Sequence, residues 1–139
     1  EDLLESGFEG LLADLKERQR EARSRAGSGE EQLFAFSHHL LAHADEHRGI
    51  FPAMVSRRGG ALIQHLLRRL LLRVVREDVK AIQVREKAGA IPAEATVEFI
   101  AGGLFGLLLW WMSGKMRVPV EDVDRIFRKL AISALKAVA

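Results

Sequence analysis

Three histidines, His39, His43 and His47, follow one another at intervals of four residues. On an α-helix that spacing sets them on one ridge. Neighbouring imidazoles so placed suit a shared metal ion, or serve as the few polar contacts that a mainly apolar ligand pocket needs. A third reading makes His43 and His47 partly buried polar groups beside Phe36 and Leu40. Asp45 and Glu46 are near in sequence but point elsewhere on the helical wheel, so this helix alone does not supply a two-histidine, one-acid site. The expectation is a pocket contact, with no metal and no cofactor. His65 stands apart and reads as structural.

Nothing else in the chain resembles catalytic machinery. The serines, at positions 6, 24, 28, 37, 56, 113 and 133, never fall in a nucleophile-elbow pattern. Gly102-Gly103 follows no strand and precedes no Lys-Ser/Thr, so it is no phosphate loop. Glu94 and Glu98 lie at a helix start, where the dipole accounts for at least the first. With no cysteine there is neither a thiolate nucleophile nor a disulfide framework. The chain is expected not to be an enzyme.

The elements that must carry the histidines are helices. The 139 residues fit one domain, and an apolar fraction of 48% with 29% charged residues is that of a soluble globular protein. No run of Val, Ile and Thr alternates far enough for a strand. Net charge is only +2, too little for steady nucleic-acid binding by charge alone. The arginine clusters 18, 20, 23, 25 and 68, 69, 73, 76 read as solvated helix faces. Glu1 and Asp2 stand where a signal peptide would have basic residues, and the absence of an initial Met suggests that something upstream was removed.

Periodicity predicts helices over Leu3–Ala22, Glu30–His47, Phe51–Ser56, Ala61–Lys87, Pro92–Ser113 and from Pro119 to the end. Leu4, Phe8, Leu11, Leu12 and Leu15 stripe the first, and the pattern stops at Lys16. Gly27-Ser28-Gly29 breaks it, with Ser28 and Glu31 as a capping box for the second. Gly49, Gly59-Gly60, Gly89 and Gly114 punctuate the rest, and Pro52, Pro92 and Pro119 suit first turns. The fold class is therefore all-α, an antiparallel bundle of about six helices.

Residues Ile100 to Met112 contain no polar interruption. The run is too short to cross a bilayer, which takes about 20 residues, and is flanked by Glu94, Glu98, Lys115 and Arg117. It needs burial by protein. Gly102, Gly106, Leu109 and Ser113 share one side of that helix, and Val123, Phe127, Leu130 and Ala134 stripe the next. Two adjacent apolar helices at a chain end suit a homodimer built as a four-helix bundle with their symmetry mates. Trp110 and Trp111 point about 100° apart, so one fills the core while the other lines a pocket or borders the interface.

The stretch Ile91-Pro92-Ala93-Glu94 through Gly102-Gly103-Leu104-Phe105-Gly106 to Trp110-Trp111 and Gly114 resembles the penultimate helix of tetracycline-repressor-like (TetR family) regulators. Val118-Pro119-Val120-Glu121-Asp122 through Leu130 is similar to their last helix. Phe34-Ala35-Phe36, His47-Arg48-Gly49-Ile50-Phe51 and Ala53-Met54 are similar to their middle pocket helices.

The resemblance implies a single ligand-binding and dimerisation domain over 1–139: a connecting helix (1–25), pocket helices (30–88) and dimerisation helices (92–138). It further implies a cytoplasmic transcription regulator with no membrane association. A small apolar or amphipathic effector would control operator DNA binding by an N-terminal helix-turn-helix of about 45 to 50 residues, which does not precede Glu1 here. Candidate walls of the pocket are Phe36, Leu40, Met54, Leu66, Leu70 and Phe105. His43 and His47 are candidate polar contacts and Trp110 a stacking surface. The alternative is a helical homodimeric interaction domain with no ligand, and a solid core between the second, fourth and fifth helices would favour it.

Overall fold

The computed structural model describes residues 2–25, 29–85, 93–114 and 117–138. It is the helical bundle that the periodicity predicts. Its helices are α1 (Asp2–Ser24), α2 (Gly29–Gln32), α3 (Ser37–Glu46), α4 (Phe51–Met54), α5 (Gly60–Arg85), α6 (Ala93–Ser113) and α7 (Val120–Val138). A 3₁₀ turn over Arg48–Ile50 joins α3 to α4. The capping-box serine, the stops at Gly27 and Gly89 and the start at Pro92 lie outside the described residues.

Helix α5 is the central post. Ile63, Leu67, Leu70, Leu71, Val74, Val75 and Val79 are all buried, covered by α1 on one side and α6 on another. Surface pairs add to the α5–α6 seam: Arg68 with Glu98 at 2.9 Å and Arg76 with Glu94 at 2.6 Å. The Arg76 hydrogen bond holds the Glu94 carboxyl below its ordinary value. Helix α7 packs on α3 and α6 through Val123, Phe127, Ala131 and Leu135, one inward ridge at four-residue steps.

Two sequence expectations differ from the structure. The buried ridge of α1 continues past Lys16, because Gln19 and Ala22 are buried as well. The predicted helix Glu30–His47 is broken at residues 33–36, separating α2 from α3. The break turns on Phe34, which is fully buried with φ of +56°, a conformation rare for a bulky residue.

Tertiary contacts hold that turn. The Phe34 amide donates to the Asp78 carboxylate of α5, and the Ser37 amide donates to the Phe34 carbonyl at 3.0 Å. Ser37 Oγ lies between the same carbonyl and the Asp124 carboxylate of α7, its one proton serving those two acceptors. Arg128 of α7 donates to the carbonyls of Glu31 and Leu33. The rings of Phe34, Phe36 and Phe127 meet edge to face within 6.4 Å of one another.

Candidate functional site: an apolar cavity edged by two histidines

A cavity of about 340 Å³ opens between the N-terminal half of α1 and helices α3 to α6. That volume is within the range of small-molecule sites. Helix α1 contributes Leu3, Leu4, Gly7, Phe8 and Leu11. Leu40, His43, Ala44 and His47 come from α3 and its C-terminal end, and Ile50 and Met54 from the following turn and α4. Ile63 and Leu67 of α5 with Leu108 and Met112 of α6 complete the wall.

Glycine geometry brings α4 into place. Gly59 has φ of +74°, and Gly60 lies so close to α4 that a Cβ there would stand 2.7 Å from the Met54 carbonyl oxygen. Gln64 Nε2 donates to that same oxygen at 2.6 Å. Only a residue without a Cβ permits this approach, and Met54 is thereby pressed into the cavity wall.

The histidines give the cavity its polarity. The rings of His43 and His47 stack with centroids 4.3 Å apart and planes 26° from parallel. His47 Nδ1 donates to the His43 carbonyl at 2.8 Å. Burial, then the neighbouring His47 and His39, holds the His43 pKa below its ordinary value, against the opposing pull of Glu46 and Asp14. Stacked rings do not aim their lone pairs at a common point. Among the described residues no group of three or more metal-ligating side chains is placed to hold an ion.

Of the predicted pocket residues, Leu40, His43, His47 and Met54 line this cavity and five others do not. Phe36 is turned into the aromatic cluster with Phe34 and Phe127. Leu66 and Leu70 edge a small crevice between α1 and α5, beside Arg69 and Arg73. Phe105 is half-buried against the core. Trp110 is 56% exposed. Its neighbour Trp111 is the core tryptophan: its indole N–H donates to the Val118 carbonyl at 2.8 Å, and the Arg48 guanidinium covers the ring at 4.4 Å.

No residue of α1 was among the candidate walls, although Leu4, Phe8 and Leu11 were visible on its stripe. The sequence also did not mark out a buried polar contact in the C-terminal half of α1. Gln19 Nε2 donates to Asp78 at 2.9 Å and to the Val74 carbonyl at 2.8 Å. Burial raises the Asp78 pKa to about 6 despite Gln19, Arg23 and the Phe34 amide. The available signal was an aspartate set among the valines of an apolar ridge.

The predicted dimerisation residues divide into two sets. Val123 and Phe127 are buried within the single chain. Gly102, Gly106, Ser113 and Leu130 are exposed, while Leu109 and Ala134 are partly covered. With Phe99 they place a broad apolar face along α6 and α7, and a groove of about 560 Å³ runs between the two helices.

The profile of a family described as the C-terminal region of transcriptional regulators, of the TetR type, matches residues 31–133. The chain belongs to this family. Neither the curated proteins nor the solved structures gave a match. As a TetR-type C-terminal region it is a regulatory domain, and its family is one of transcription regulators. By length and apolar content α6 is the one described helix that qualifies to cross a membrane. In this TetR-type fold seven of its residues, from Thr96 to Trp111, are buried against the protein's own core.

Proposed function

We propose that the chain is the effector-sensing and dimerisation domain of a TetR-family regulator. The cavity carries this reading, because it is mainly apolar and has one whole wall formed by α1. By the resemblance to the family, α1 is the connecting helix toward a DNA-reading unit. A ligand that fits one position of α1 better than another shifts the population by its difference in affinity. The open volume among α3, α5 and α6 also favours this reading over a domain with a solid core and no ligand.

The second copy of the chain is proposed to dock on the outer face of α6 and α7. Phe99 is 72% exposed and Leu130 66% exposed, with Trp110 and Ile126 beside them. Gly102, Gly103 and Gly106 leave the α6 backbone open to close approach. A two-fold axis through this face would build a four-helix bundle and cover the apolar surface.

The test joins both halves. Apolar small molecules are screened for a rise in melting temperature, and hits are added to the complete regulator on its operator. Release or tightening of the DNA by a cavity-binding hit supports the reading. Binding at the cavity without any effect on DNA overturns the sensing role. Sedimentation at micromolar concentration checks the dimer, and a single-chain species there would overturn it.

A further inference from the structure

The chemistry of the cavity's polar edge narrows the class of molecule it takes, on the reading that the cavity is the effector site. A carbonyl oxygen only accepts, so the 2.8 Å contact between His47 Nδ1 and the His43 carbonyl requires the proton on Nδ1. In the neutral ring that leaves Nε2 as a lone-pair acceptor. Among the described residues nothing donates to it.

Fixed charge is missing from the same surface. None of the described residues lining the cavity is Lys, Arg, Asp or Glu. The cation beside it, Arg48, is engaged elsewhere: Nε donates to Asp45 at 2.6 Å, Nη1 to the Trp111 carbonyl at 3.2 Å, and the guanidinium lies on the Trp111 ring. A carboxylate guest would meet no fixed positive charge on this lining. A hydroxyl guest would complete the open His47 acceptor, and it can also meet the neighbouring His43 ring, which when neutral offers one donor and one acceptor.

We propose that the cavity takes a neutral, mainly apolar molecule that presents a hydroxyl or similar proton donor to Nε2 of His47. The guest's apolar body lies against Phe8, Leu11, Leu67 and Leu108, and its donor end sits at the exposed edge where His47 stands. The lining residues from α4, α5 and α6 are apolar.

Matched probes test this. Decanol, decanoate and the methyl ether of decanol are titrated calorimetrically into the chain near neutral pH, and the same trio is repeated on a naphthalene body. The alcohols are expected to bind about tenfold more tightly than ether or carboxylate. His47→Phe keeps the ring, removes the acceptor and brings alcohol down to ether. The Nε2 nitrogen resonance of His47 moves with alcohol and stays still with ether. Equal binding of alcohol and ether, unchanged in His47→Phe, overturns the donor assignment while the cavity remains a binding site. Tighter binding of the carboxylate overturns it too. Failure of all probes on both bodies removes the cavity reading itself, and the donor assignment with it.

Discussion

Gln19 of α1 donates Nε2 to the carboxylate of Asp78 on α5 across 2.9 Å, with both side chains almost fully buried. The same carboxylate accepts the amide of Phe34. One acid thus ties the C-terminal half of α1 to the break between α2 and α3, at the end of α1 away from the cavity.

Burial raises the Asp78 pKa from its ordinary 3.8 to about 6, so the fold favours the neutral acid. The stability this confers is fully present below about pH 3.8 and is lost as pH rises through about 6, a change of about 3 kcal/mol. Asp78→Asn keeps an acceptor oxygen for Gln19 and removes the ionisation. Its stability relative to the natural chain is expected to rise by about that amount between pH 4 and 7. Urea denaturation of both chains across that range measures it, and a constant difference would show that Asp78 does not titrate with folding.

Gly60→Ala is expected to cost about 1–3 kcal/mol. The added methyl meets the backbone oxygen of Met54, which cannot swing aside as a side-chain end would. Denaturant titration gives the number, and a neutral result would mean that α4 shifts freely relative to α5.

Gly7 lines the cavity from a helical position with nothing within 4 Å of a Cβ. Gly7→Leu is expected to stabilise the chain by about 1 kcal/mol, through helix propensity alone. It also places a side chain where the guest would lie. Stability gained together with binding lost, measured on one preparation by thermal melting and calorimetry, is the expected pair.

Phe99→Glu and Leu130→Glu each put a charge on the outer face of α6 and α7 without touching the core. If the second copy docks there, each substitution is expected to cost about 2 kcal/mol or more of association, while the monomer's far-ultraviolet spectrum stays unchanged. Sedimentation equilibrium reads the association. Unchanged dimers in both variants would place the interface elsewhere.

Helix type and order were legible because apolar residues at steps of three and four leave a mark that needs no knowledge of neighbours. What covers each stripe was not. Phe127 and Leu130 belong to one stripe in sequence, yet the first meets Phe34 while the second stays outside. A stripe says only that something covers it. The interruption at Phe34 was invisible for a related reason: its positive φ is held by Asp78, 44 positions further along the chain. His43 and His47 were found because their chemistry is unusual on any helix. No α1 residue was singled out because leucines and a phenylalanine look the same whether they meet a core or an empty space.

Side by side in the chain, Trp111 is sealed under a guanidinium and Trp110 looks into water. Two chromophores one residue apart therefore report separate events. Blue-shifted emission from Trp111 follows the integrity of the interior, whereas red-edge emission from Trp110 dims or moves only when something settles on the outer surface of α6. A single cuvette, with no label attached, distinguishes unfolding from assembly.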